Sequence, residues 1–312
     1  MKELWVEKYR PKNIKEYVFR DDAQRSQVES WINSNAIPHL LFSGAPGTGK
    51  TTLAKLLLHE LKVDWGDVLQ INASSENSVD VIRDKITNFS QTMPFGEFKY
   101  IILDEADYIS PNGQAALRGV MEQYASTCRF LLTCNYERRI IPAIHSRCQG
   151  FKILKLDEKM FMVRSGEILT EEGIKFDIET LTTYVKATYP DLRKCINVCQ
   201  MNSQTGELTQ PQNGDTTDGD VEVTYVALFQ NGDIKKAREY IIEHADSEQY
   251  EKVYRKMYEN LFWFGEDELK QAKALLAIRQ GLVNHAIVVD PEINLAATMI
   301  ELEQIRSQKW RT

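Results

Sequence analysis

The chain has 312 residues, 43% apolar and 27% charged, with a net charge of −7, which suits two or three ordinary globular domains rather than a disordered or fibrous chain. No uninterrupted apolar run reaches the roughly 18 residues of a membrane helix, and the charged start MKELWVEKYRPKN is not a secretory leader. Five scattered cysteines, an odd number, argue against a disulfide framework and for a reducing, cytoplasmic setting.

From about residue 20 to 153, short apolar runs alternate with longer amphipathic stretches. His39–Ser43, Val68–Asn72, Tyr100–Asp104 and Phe130–Cys134 read as buried strands, and Thr51–Leu61, Asp80–Phe89 and Gly113–Tyr124 as helices. That alternation predicts βαβ units and a mainly parallel sheet flanked by helices. Beyond residue 154 the strand signal disappears. Asp157 and Asp177 are expected N-caps, and Cys195 and Cys199, four apart on a helix, read as core packing rather than zinc ligands. Ser203–Glu222 has five acids, no Lys or Arg and few apolar side chains, so it is expected to be a mobile linker. After it, Tyr250, Val253, Met257 and Leu261, then Leu295, Met299, Leu302 and Ile305, recur at helical spacing.

Gly44-Ala-Pro-Gly-Thr-Gly-Lys50-Thr51 matches G-x-x-x-x-G-K-[ST] between a strand-like and a helix-like run. Such a loop turns backbone N–H groups of Gly44, Gly47, Thr48, Gly49 and the helix start, with Thr52, around phosphate oxygens, and Pro46 fixes the turn. Lys50 is expected on the β/γ-phosphates and Thr51 on Mg²⁺. The strand ending in Asp104-Glu105 offers two adjacent carboxylates, Asp104 for Mg²⁺ through water and Glu105 for activating a nucleophilic water. That pairing favours ATP hydrolysis. Asn135, ending the last strand, either contacts the γ-phosphate or forms a turn. The histidines have no assignable role, and no nucleophile–base pair points to covalent catalysis.

Further motifs resemble the AAA+ sliding-clamp loader ATPase subunits, which include the small subunits of replication factor C and the large subunit of T4-type bacteriophage loaders. The resemblance rests on Trp5–Pro11 (WVEKYRP), Asn72–Arg83, Leu117-Arg118 with Met121-Glu122, Ser146-Arg147-Cys148 and Pro190–Lys194. It implies an α/β AAA+ P-loop domain over 1–153, a helical lid over 154–205, a flexible acidic linker over 206–222 and an all-α collar over 223–312. The short collar and acidic stretch look more phage-like than cellular, which would place the protein in a host cytoplasm.

The resemblance also implies roles. Val6, Tyr9, Arg10 and Pro11 would flank the adenine. Arg193 would touch the γ-phosphate in cis, and Arg147 would enter a neighbouring subunit's site in trans. Asn72 would restrain Glu105, and Arg118 would relay between nucleotide and DNA sites. Ser78, Ile82, Arg83 and Lys85 would meet DNA backbone, the Gln114 region at the next helix start would make similar contacts, and an apolar helix near Ser110–Asn112 would meet the clamp. Implied partners are homologous subunits in a heteropentamer, a companion clamp-loader subunit, the sliding clamp and primer–template DNA. Two rival readings remain: a Holliday-junction translocase, or a loader subunit that has lost catalysis.

Overall fold

The computed structural model describes residues 3–76, 79–209 and 218–307. Internal contacts divide the chain into two compact units. One runs to Phe161 and includes Pro190–Arg193; the other comprises Met162–Tyr189 and the chain from Lys194 onward.

In chain order the first unit contains α1 (Trp5–Lys8), α2 (Asp22–Asn33), β1 (Leu40–Ser43), α3 (Lys50–Glu60), β2 (Val68–Asn72), α4 (Val79–Gln91), β3 (Lys99–Asp104), α5 (Pro111–Gln123), β4 (Cys128–Cys134), α6 (Pro142–His145) and β5 (Gln149–Lys152). The strands form one sheet in the order β2-β3-β4-β1-β5, with every pairing parallel. The apolar runs are continuous because alternate side chains serve opposite faces, and both faces are covered. Leu41, Ile101, Leu103, Phe130 and Leu132 enter one core. Leu40, Phe42, Tyr100, Ile102 and Leu131 enter the other. Each such buried side chain stabilises the unit by about 1.5–3 kcal/mol. The helices start on local signals: Asp21 accepts from the Gln24 N–H in α2, and Ser110 accepts from the Gly113 N–H in α5, which has Pro111 at its start.

The strand β5 is absent from the sequence expectation. Of its four residues only Phe151 is buried, so an edge strand of this kind shows no apolar run.

The second unit is helical: most of α7 (Glu158–Glu171), α8 (Ile178–Thr188), α9 (Leu192–Met201) from Lys194, α10 (Asp218–Gln230), α11 (Ile234–His244), α12 (Tyr250–Glu259), α13 (Glu268–His285) and α14 (Pro291–Ser307). Asp177 caps α8 through the Thr180 N–H at 2.7 Å, and Asp157 accepts from the Lys159 N–H at 2.9 Å. Cys195 and Cys199 are buried.

Helices expected in a lid and in a collar share this one unit, and buried polar groups tie them together. Lys256 of α12 donates to the carbonyls of Lys186 and Tyr189 at the end of α8, at 2.9 and 3.1 Å. Glu222 of α10 lies 3.7 Å from Lys256 and pairs with Lys194 of α9. The linker expected over 206–222 is also shorter at both ends. Leu208 is buried, Tyr184 donates to the Thr209 carbonyl at 2.5 Å, and α10 begins at Asp218. Residues 210–217 of that stretch lie outside the described residues. Acidic composition did not forbid helix here, because Val221, Val223, Tyr225 and Val226 have a core to enter.

Candidate functional site

At the carboxyl ends of β1, β3 and β4, the arrangement that open parallel sheets use for ligands, the chain assembles a cluster of polar side chains. The loop from Gly44 to Gly49 leaves β1 and turns into α3. Gly47 and Gly49 have φ of 73° and 87°, a left-handed backbone that side chains resist. A Cβ on Gly47 would also come within 2.0 Å of the Asp191 carboxylate. Pro46 is exposed at the crown of the loop. Thr48 donates to the Ala45 carbonyl at 2.8 Å. Thr51 and Thr52 follow in the first turn of α3, half-buried beside the loop.

Lys50 is buried, and its ammonium donates to the carbonyls of Gly44 at 3.0 Å and Ala45 at 2.8 Å. Burial pulls its pKa below the usual lysine range. Cys134, Asp104 and Asp107 oppose that shift, while Arg193 adds to it. Arg193 is thereby brought into the electrostatic reach of the phosphate loop.

Asp104 Oδ1 accepts from the hydroxyls of Thr51 at 2.7 Å and Thr133 at 2.5 Å. The next residue, Glu105, has φ 56° and ψ 43°, a left-handed conformation unusual for a side-chain-bearing residue, and its N–H donates to Thr133 Oγ1 at 3.0 Å. Held backbone strain of this sort costs on the order of 1–3 kcal/mol and concentrates at functional sites. It turns Glu105 out of the line of β3. Asp107 then accepts from the N–H groups of Asn135 at 3.3 Å and Tyr136 at 3.1 Å, fixing the turn that carries half-buried Asn135.

Two residues of this site, Thr133 and Tyr17, carry no sequence motif, and a third, Asp191, falls in the Pro190–Lys194 motif, which assigns it no role. Thr133 links Asp104 to Glu105. Tyr17 donates to the Thr48 carbonyl at 3.3 Å and packs its ring on Gly49. Asp191 lies against Gly47. Burial pushes the Tyr17 phenol well above its ordinary pKa, so it remains a neutral donor. It is Tyr17 that reaches the loop from the N-terminal segment. Val6 and Tyr9 are half-buried, Pro11 follows them, and exposed Arg10 pairs with Glu7 at 2.9 Å.

Other sequence-derived residues lie apart from this cluster. Asn72 stands opposite Asp104 in the sheet, but its side chain accepts from the Ser74 N–H at 2.9 Å and Oγ at 2.8 Å. The described hydrogen bonds of Asn72 thus close a turn and do not reach Glu105. Arg147 donates to the Ala143 carbonyl at 2.7 Å, to Ser146 Oγ at 3.2 Å and to Glu122, and Arg118 lies 3.9 Å from the same glutamate. Burial raises the neighbouring Cys148 thiol to about 12, with Arg147 opposing, so it stays protonated.

On α4, Arg83 is exposed, and Lys85 is exposed and pairs with Glu76 at 2.5 Å. Ser78 and the side chain of Ile82 lie outside the described residues. Gln114 is a correction. It is 2% exposed and bonds the Ile109 and Arg139 carbonyls and the Ile141 N–H, at 2.9, 2.9 and 2.8 Å. A side chain so enclosed joins α5 to the chain before α6 and cannot meet DNA. The start of α5 at Ser110–Asn112 is polar. The prominent exposed apolar side chains of this unit include Met93 and Phe95, 88% and 83% exposed, and Trp65.

The fold and this site define a P-loop ATPase of the AAA type. A model described as "ATPase family associated with various cellular activities (AAA)" matches residues 40–156. The replication factor C small subunit of Sulfurisphaera tokodaii is 35% identical, across 96% of this chain and 94% of that protein. That of Thermoplasma acidophilum is 34% identical over 97% and 87%, and that of Archaeoglobus fulgidus 42% identical over 66% of each. The chain belongs to the replication factor C small-subunit family. Among solved structures, the Thermotoga maritima RuvB Holliday junction branch migration motor has a TM-score of 0.52 at 15% identity, covering 75% of this chain and 80% of that one. A variant of the same protein reaches 0.54 at 14% identity. At such identity the likeness is one of fold alone.

Proposed function

We propose that this chain is an ATP-hydrolysing subunit of a sliding-clamp loader that opens the clamp when ATP is bound and releases it on primer–template DNA. The observation that carries the reading is the bonded set Thr51–Asp104–Thr133–Glu105 beside the buried ammonium of Lys50.

A hydroxyl and a carboxylate within 2.7 Å at a helix start form a hard-oxygen pair suited to Mg²⁺. Thr51 and Asp104 would hold that ion, which supplies charge neutralisation on the triphosphate. Lys50 exchanges its two carbonyl partners for β/γ-phosphate oxygens, while Gly44, Pro46, Gly47, Thr48, Gly49 and Thr52 shape the surrounding cradle. Glu105 orients a water and takes its proton, and Asn135 positions the γ-phosphate and that water. Arg193 binds the γ-phosphate in cis. Val6, Tyr9, Arg10 and Pro11 flank the adenine.

Arg147 acts in trans. Its described hydrogen bonds go to α5 and the α6 turn and none to its own phosphate loop, and a guanidinium supplied by a neighbour is worth about 10³–10⁵ in rate. The working form is therefore an assembly, read as a heteropentamer of identical or homologous subunits with one companion. On α13, Leu269, Leu276 and Val283 recur every seven residues and are more than half exposed, a stripe suited to packing against another subunit. Met93 and Phe95 are the clamp-facing pair. Asp67 holds their turn by accepting from the Phe95 and Gly96 N–H groups at 3.0 and 2.8 Å, so the apolar tip is rigid before contact.

Ser78, Ile82, Arg83 and Lys85 meet DNA backbone, which carries position without sequence. Asn72 and Arg118 couple DNA engagement to Glu105. The short tail and acidic stretch favour a bacteriophage source and the host cytoplasm. ATP turnover by the assembled complex tests the reading. Clamp and primer–template DNA together should stimulate it strongly, whereas indifference to both would leave only a generic ATPase.

A further inference from the structure

We propose that Glu122 is a positioning residue for Arg147, holding its guanidinium at the angle needed to reach the neighbouring subunit's nucleotide. The inference rests on Arg147 acting in trans.

The guanidinium is docked on three sides within its own subunit. Nη1 donates to the Ala143 carbonyl at 2.7 Å and to Ser146 Oγ at 3.2 Å, and Nη2 donates to Glu122 Oε1. A guanidinium has five N–H donors in a planar fork. Three are occupied by these bonds, which leaves Nε–H and one Nη2–H for an incoming oxyanion. Without the carboxylate, Nη1 alone would hold the group and its plane could rotate.

The elements that carry the pair are themselves tied together. Gln114 of α5 bonds the Arg139 carbonyl and the Ile141 N–H, immediately before α6. Glu122 on α5 and Arg147 after α6 therefore share one support.

Charge points the same way. Arg118 Nε lies 3.9 Å from the Glu122 carboxylate, so one anion serves two cations and the trio keeps a net positive charge. Glu122 aims Arg147 without cancelling its pull on a phosphate. The Glu122 and Arg147 side chains are 49% and 31% exposed, and an ion pair this wet adds little to folding. Its effect belongs to geometry.

The test uses the assembled complex with clamp and primer–template DNA. Glu122→Ala should lower kcat for ATP by about tenfold while KM stays within about twofold, because misaim costs rate and not substrate binding. Glu122→Gln keeps an oxygen acceptor and should recover part of the loss; it also serves as the test variant if Glu122→Ala fails to assemble. In an Arg147→Ala background, Glu122→Ala should add nothing further. Wild-type kcat in both Glu122 variants, with Arg147→Ala inactive, would overturn the positioning role and leave the trans reading intact. Losses that simply multiply in the double variant would also reject it. Wild-type turnover in Arg147→Ala would remove both.

Discussion

Lys50 in the first unit and Lys256 in the second are both buried lysines that donate to backbone carbonyls, and they differ in what surrounds them. Lys50 and Lys256 are each 8% exposed, each donates to two backbone carbonyls, and burial lowers the pKa of each. Lys256 has the Glu222 carboxylate at 3.7 Å and closes the end of α8. Its charge is compensated and its acceptors are helix-end carbonyls that need a donor. Lys50 has no carboxylate within ion-pair distance among the described residues, and its acceptors belong to a glycine-rich loop. A buried charge with a fixed counter-ion is structural. One left with replaceable loop carbonyls is available to an anionic ligand.

Substitution should separate the two roles. Lys50→Met is expected to lower ATP turnover by roughly 10³-fold, with little change in melting temperature, measured by phosphate release and calorimetry. Equal turnover in the variant would erase the contrast. Lys256→Met should do the reverse. It leaves helix-end carbonyls without a donor and Glu222 with Lys194 as its remaining partner, at a cost of about 1–3 kcal/mol in denaturant unfolding, while nucleotide affinity is unchanged.

Thr133→Val sharpens the comparison within the first unit. The hydroxyl accepts from the Glu105 N–H and donates to Asp104, so the nearly isosteric valine leaves both groups short of a partner. Catalytic turnover should fall by about ten- to a hundredfold, with stability lower by about 1–2 kcal/mol. A loss of stability alone, without loss of kcat, would make this threonine a structural element like Lys256.

The smallest expected effect is a pH dependence at His39. Burial, assisted by Arg129, lowers its pKa from 6.5 to about 4, and its Nδ1 accepts from the Phe130 N–H at 3.2 Å. Well above pH 6.5 folded and unfolded chains both hold it neutral, and it contributes nothing to pH dependence. As pH falls from about 6.5 toward about 4, the unfolded chain takes up a proton that the fold excludes, so stability is lost. His39→Gln keeps an acceptor for Phe130 and should flatten that part of a stability–pH curve.

Local pattern determined much of this protein. Gly44–Thr51 and Asp104-Glu105 are legible because a phosphate cradle and a strand-end carboxylate pair are built from consecutive residues, whose spacing alone sets their geometry. The strands β1, β3 and β4 are legible for the same reason: a strand covered on both faces is apolar nearly throughout, and the edge strand β2 still shows Val68, Leu69 and Ile71. The edge strand β5 needed no such run and left no signal. Tertiary structure alone decided the partners separated in the chain. Tyr17 meets Thr48 across 31 residues, Glu105 meets Thr133 across 28, Arg147 meets Glu122 across 25, and Asp191 lies on Gly47. None of these pairs shares a helix or strand period, so no spacing rule announces them. The joining of α8 and α9 to the C-terminal helices was decided in the same way, by Glu222 and Lys256 meeting groups remote in sequence. Consecutive residues encode the shape of a loop or strand; the fold selects which distant polar groups complete it.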